Sequence, residues 1–153
     1  TDTSVFTTAQ RGFIGMGVKI AILGKNGKGE AIFVESRGAH TRSRTGAIDS
    51  AIAEMKVEDI QSTPAKNIIP TFKGEDLSEV QKAKMRFILQ KQNLEGNVTV
   101  NTTCGQGSFG TTANIQVIGT KNGSPVALQW NGVGSSSPAF AIDQAIENSL
   151  QSQ

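Results

Sequence analysis

The sequence predicts an α+β fold built as a tandem βββα pseudo-repeat, with antiparallel sheet or sheets, helices packed on one face and an extra helix between the repeats. Three observations carry this. Thr7-Thr8, Gly15, Ile20, Ile22, Gly24, Asn26-Gly27 and Ala47-Ile48-Asp49-Ser50-Ala51-Ile52 recur as Thr102-Thr103, Gly110, Ile115, Val117, Gly119, Asn122-Gly123 and Ala141-Ile142-Asp143-Gln144-Ala145-Ile146. The offset stays near ~95 residues, as for a duplicated supersecondary unit. Each copy sets an Asn-Gly pair between two apolar runs, a strong hairpin signal because both turn residues must take positive φ. Each then continues into an apolar stripe at helical spacing.

In the first copy the predicted strands are Val5–Thr8, Val18–Leu23 and Glu30–Glu35, the last two flanking Gly24-Lys25-Asn26-Gly27-Lys28-Gly29. Ala47, Ile48, Ala51, Ile52 and Met55 form the stripe of the following helix. Ser62–Gly74, with Pro64 and Pro70, reads as a linker. Asp76–Lys91 reads as the extra helix, facing inward with Leu77, Val80, Ala83, Phe87 and Ile88. In the second copy Asn97–Thr103, Ala113–Ile118 and Val126–Trp130 are the strands. Ser137 suits an N-cap and Pro138 a first helical turn, where its missing N–H costs nothing. The expected organisation is a first repeat at 1–61, a linker and inserted helix at 62–95, and a second repeat at 96–153, as two three-stranded sheets or one six-stranded sheet, within one compact domain or two.

The 153 residues carry 15 Lys and Arg against 13 Asp and Glu, a net charge of +2 that permits an anionic partner without requiring one. The single cysteine, Cys104, rules out an intrachain disulfide and a cysteine-based zinc site. It fits a cytoplasmic setting and leaves a secreted one open. No apolar run approaches the ~20 residues of a membrane span.

Charge separates the repeats. Residues 96–153 hold one cation, Lys121, and two anions, Asp143 and Glu147. Solvated surfaces normally intersperse charge, so this composition suggests either a covered surface, as in a homo-oligomer, or a neutral hydroxyl-rich one. The first repeat gathers Arg37, His40, Arg42 and Arg44 where its third strand leads into its helix. A helix start offers free N–H groups and the positive end of a dipole, and arginines are bidentate phosphate donors. These four residues are the candidate anion site, with Lys25 and Lys28 on the hairpin tip adding to its field. The competing reading is a solvated basic loop whose arginines pair with Glu30, Glu35 or Asp49.

Catalytic signals are weak. His40 has no nearby cysteine and no serine-elbow context, so a triad is not indicated, and Asp49 and Asp143, each in the first half of its expected helix, are explained by the dipole alone. Gly105-Gln106-Gly107-Ser108-Phe109-Gly110 joins two strands and precedes no helix, so it lacks the phosphate-loop mechanism. No cofactor or metal is expected.

The stretch Asp76–Leu150 resembles a double-stranded-RNA-binding-like fold: helix, three strands, Gly132-Val133-Gly134-Ser135, then a helix through Ala141 and Ala145. That resemblance implies phosphate contacts at the start of the second helix. Ser136, Ser137 and Pro138 stand there, whereas Arg42 and Arg44 occupy the equivalent corner of the first repeat. The whole chain also resembles the regulatory domain of 2-isopropylmalate synthases, built from two βββα units, with Pro138-Ala139-Phe140-Ala141 similar to that family's helix start. The expected function is a non-enzymatic protein holding a phosphate-bearing ligand, nucleic acid foremost, at the basic corner. The alternative is a self-assembling structural or regulatory module that binds a small ligand between repeats.

Overall fold

The computed structural model describes residues 3–11, 16–40, 43–56, 59–108, 110–134 and 137–151. The protein is α+β, mostly strand, with two sheets and three helices divided between two compact units, Thr1–Ala65 and Lys66–Gln153.

The first unit runs β1 (Thr3–Arg11), β2 (Met16–Lys25), β3 (Glu30–His40), α1 (Arg44–Ala53) and β4 (Gln61–Pro64). Its four strands lie in sequence order and all pair antiparallel. Alternation along β2 sends Val18, Ile20 and Ile22 to one face. There Val18 and Ile20 are buried with Ala47 and Ala51 of α1, and Ile22, Ile48 and Met55 pack against them. Ile52, expected on the same stripe, is instead 56% exposed.

The turn between β2 and β3 also departs from expectation. The left-handed residue is Gly29 (φ 78°), not Asn26 or Gly27. Asn26 holds a wider loop: its Oδ1 accepts from the amides of Lys28 (2.9 Å) and Glu30 (3.0 Å), and its Nδ2 donates to Glu30 Oε1 (2.9 Å). A side chain that satisfies two turn amides removes the need for a two-residue turn.

The second unit runs β5 (Ile68–Gly74), α2 (Glu79–Lys91), β6 (Glu95–Gly107), β7 (Gly110–Lys121), β8 (Ser124–Gly134) and α3 (Pro138–Gln151). The sheet order is β5-β6-β7-β8. β5 pairs parallel with β6 through the α2 crossover, and the other pairs are antiparallel. Here Asn122 (φ 52°) and Gly123 (φ 81°) do form the expected two-residue turn. Val98, Val100, Ile115 and Val117 are buried on the sheet face that α3 covers with Ala141, Ile142, Ala145, Ile146 and Leu150.

Residues 62–74 are not a linker. They supply β4 to the first sheet and β5 to the second. Pro64 and Pro70 are tolerated because both strands are sheet edges, where a missing N–H breaks no ladder. The expected three- or six-stranded sheets are therefore two of four strands. The inserted helix starts later than expected, at Glu79, behind a capping box: Ser78 Oγ accepts from Gln81 N (3.2 Å) and Gln81 Oε1 from Ser78 N (2.9 Å). It is buried over more than its expected stripe, with Gln81, Lys84, Met85 and Leu89 also buried.

In each unit a glycine lets the helix approach the sheet. A Cβ on Gly38 would collide with the backbone of Ala47 and Ala51, and one on Gly132 with the backbone of Ala141 and Ala145.

Candidate functional site

The corner between β3 and α1 is built from the strand upward. β3 does not stop at Glu35 but continues to His40, so Arg37 and His40 are strand residues opposite Lys19 and Met16. Only Thr41, Arg42 and Ser43 separate β3 from α1. Ser43 is the N-cap, its Oγ accepting from Gly46 N at 3.0 Å, and Arg44 is the first helical residue. α1 then runs back along β3. Gly38 lies under Ala47 and Ala51, and Ser36 Oγ donates to Ala51 O at 2.5 Å. That bond satisfies one of the carbonyls a helix C-terminus leaves unpaired.

Beside this contact lies an open groove of about 610 Å3 lined by Glu35, Ser36, Arg37, Gly38, Ala39, Ser50 and Glu54. It is polarised. Glu54 caps the C-terminal end of α1, whereas Glu35 and Arg37 alternate to the sheet face opposite Ser36, Gly38 and α1, with Arg37 nearer the end of β3 at His40. Glu54, Ser36 and Ser50 are groove residues that the sequence does not single out, and Glu35 enters the sequence reading as an arginine partner rather than as a groove residue. The signal was present in the alternation of β3, where Glu35 and Arg37 share a face.

Of the six predicted site residues, Arg37, His40 and Arg44 fall at one end of the β2–β3 hairpin by backbone position. Arg37 is exposed; the side chains of His40 and Arg44, and all of Arg42, lie outside the described residues. Lys25 and Lys28 are exposed at the opposite end. The 11 residues of β3 span roughly 33 Å at strand rise, several Debye lengths of about 8–10 Å. The lysines therefore contribute little to the field at the corner.

The second unit has a basic set that the sequence did not single out: Lys82 Nζ and the Arg86 guanidinium lie 5.9 and 5.7 Å from the Phe72 ring centroid. The two aspartates have diverged. Asp49 is exposed, while Asp143 Oδ1 accepts from Gln81 Nε2 at 2.7 Å, tying α3 to α2. Among the described residues no three His, Cys, Asp or Glu side chains converge as a metal site, and no helix is long and apolar enough to cross a membrane. Cys104 is half-buried, and burial, then the nearby Glu75 carboxylate, push its thiol pKa up.

Unit by unit, then, the fold defines an α+β protein with an open polar groove at one strand-to-helix corner. No family model, curated protein or solved structure matches the chain.

Proposed function

We propose that the chain is a non-enzymatic binding protein whose first unit holds a phosphate-bearing ligand, nucleic acid foremost, at the β3–α1 corner. One observation carries the reading: the backbone positions of Arg37, His40 and Arg44 fall at one end of the first sheet, and three residues, Arg42 among them in sequence, join β3 to α1. The groove's polarity adds to it, since Glu35 and Glu54 lie toward the far end of α1 and leave the helix start to the anion. Arg42→Ala with Arg44→Ala, titrated with short duplex and single-stranded nucleic acid and with inorganic phosphate, tests it. Wild-type binding weakens steeply with salt and the double variant loses it; equal affinity of the two proteins refutes the proposal.

The two runs of three strands and a helix are, in this reading, copies of one βββα unit. The matching glycine–alanine contacts at Gly38 and Gly132 support that relation. A second reading, self-association through the second unit, is favoured by the sheet face opposite α3. Ile69, Thr71, Thr103, Thr112, Gln116, Ile118, Ala127, Gln129, Asn131 and Val133 are exposed there, and among the described paired positions Lys73 and Glu95 are the charged residues facing the same way. Light scattering on the whole chain tests this, and a strict monomer defeats it.

A further inference from the structure

We propose that the outer edge of β8 is the pairing surface for a second copy of this chain, with β8 joined antiparallel to its own counterpart about a two-fold axis. The proposal rests on the self-association reading and places its contact at the β8 edge rather than across the sheet face opposite α3.

Three observations carry it. First, β8 ends the second sheet, and no strand is hydrogen-bonded to its outer side among the described residues. The corresponding strand of the first unit, β3, is not left bare: β4 pairs antiparallel along Glu30–Phe33. Second, β8 lacks the usual protection of an edge. Natural edges are short or carry lysine, proline or a bulge, yet β8 has 11 residues with no charge, and its one proline is Pro125 at the start. A two-fold pairing sets a strand against itself, so any charge would meet its like or a near neighbour. An uncharged strand meets no such penalty. Third, Val126, Leu128 and Trp130 on the helix-facing side remain only half-buried, because α3 comes close at Gly132 and Gly134 instead. A neighbouring strand with the same three residues would extend that apolar surface. Asn148 Nδ2 of α3 donates to Asn131 O at 2.6 Å, which leaves the first part of β8, Val126–Trp130, as the segment for pairing.

Sedimentation velocity and amide hydrogen exchange over a concentration series test this on the whole chain. The wild type associates reversibly, and protection of the Val126–Trp130 amides rises with concentration. Ala127→Lys with Gln129→Lys, both exposed positions on the edge strand, weakens association about tenfold or more through like charges across the axis. Gln116→Lys, on the same face but on central β7, leaves it unchanged. If the wild type associates and the edge variant associates equally well, or if Gln116→Lys weakens association as much, the contact is elsewhere; the edge assignment then falls while self-association stands. A wild type that stays monomeric throughout, including one whose edge serves a different chain, overturns both.

Discussion

Gly132 lies so close beneath Ala145 that a Cβ on the glycine would collide with the alanine's backbone nitrogen. A strand and a helix touch here backbone to backbone. Gly132→Ala must separate α3 from β8, and overpacking of this kind costs about 1–3 kcal/mol or more. Gly38→Ala acts the same way on α1 and β3. Both variants shift the urea midpoint down, whereas Gly27→Ala, with open space around it, costs far less.

Ser36 supports α1 differently. Its hydroxyl supplies the donor to Ala51 O from a buried site. Ser36→Ala leaves that carbonyl without this partner and destabilises by about 1–3 kcal/mol. The loss should appear in hydrogen exchange as faster opening of α1 than of α3.

Gln81 joins two devices, the capping box of α2 and the bond to Asp143. Gln81→Ala removes both, and Asp143→Asn removes only the charge of the second. A double-mutant cycle between positions 81 and 143, read by denaturation, gives a coupling of about 1 kcal/mol.

The hairpin lysines provide the control for the anion site. Lys25→Ala with Lys28→Ala removes two cations, the same number as Arg42→Ala with Arg44→Ala, yet leaves phosphate or nucleic-acid affinity within about twofold because distance screens them. Equal losses from the two pairs would show a diffuse attraction to net charge.

Cys104 gives a pH prediction. Its folded pKa is raised, first by burial and then by Glu75, so the folded chain holds the thiol proton more tightly than the unfolded chain. The associated stability is fully present below the unfolded thiol's pKa and is lost as pH rises through the folded value. Alkylation of the native thiol, followed by mass spectrometry, therefore rises at higher pH than for the unfolded chain, and Glu75→Gln brings the onset down.

The order of the strands and helices outside residues 62–74 could be read from one dimension. Asn122-Gly123 takes the positive φ that the pair signals, although Asn26-Gly27 does not, and the spacing of Ala141, Ile142, Ala145 and Ile146 has one helical interpretation. Residues 62–74 could not be read so. Pro64 and Pro70 break a central strand but not an edge strand, and which strand is an edge depends on partners distant in sequence. The same holds for the candidate site. The basic residues between Arg37 and Arg44 stood out by composition, but the distance of Lys25 and Lys28 and the presence of Glu35 and Glu54 in the groove follow from register and from the direction of α1.

The sequence by itself thus determined most of the local elements, though not β4 and β5, the clustering of basic residues between Arg37 and Arg44, and the shortage of charge in the last third of the chain. Tertiary structure alone decided which strands end each sheet, which cations share a corner and which glycines touch a helix. Local conformation answers to neighbours a few residues away, whereas edges, grooves and close contacts exist only once distant segments have paired.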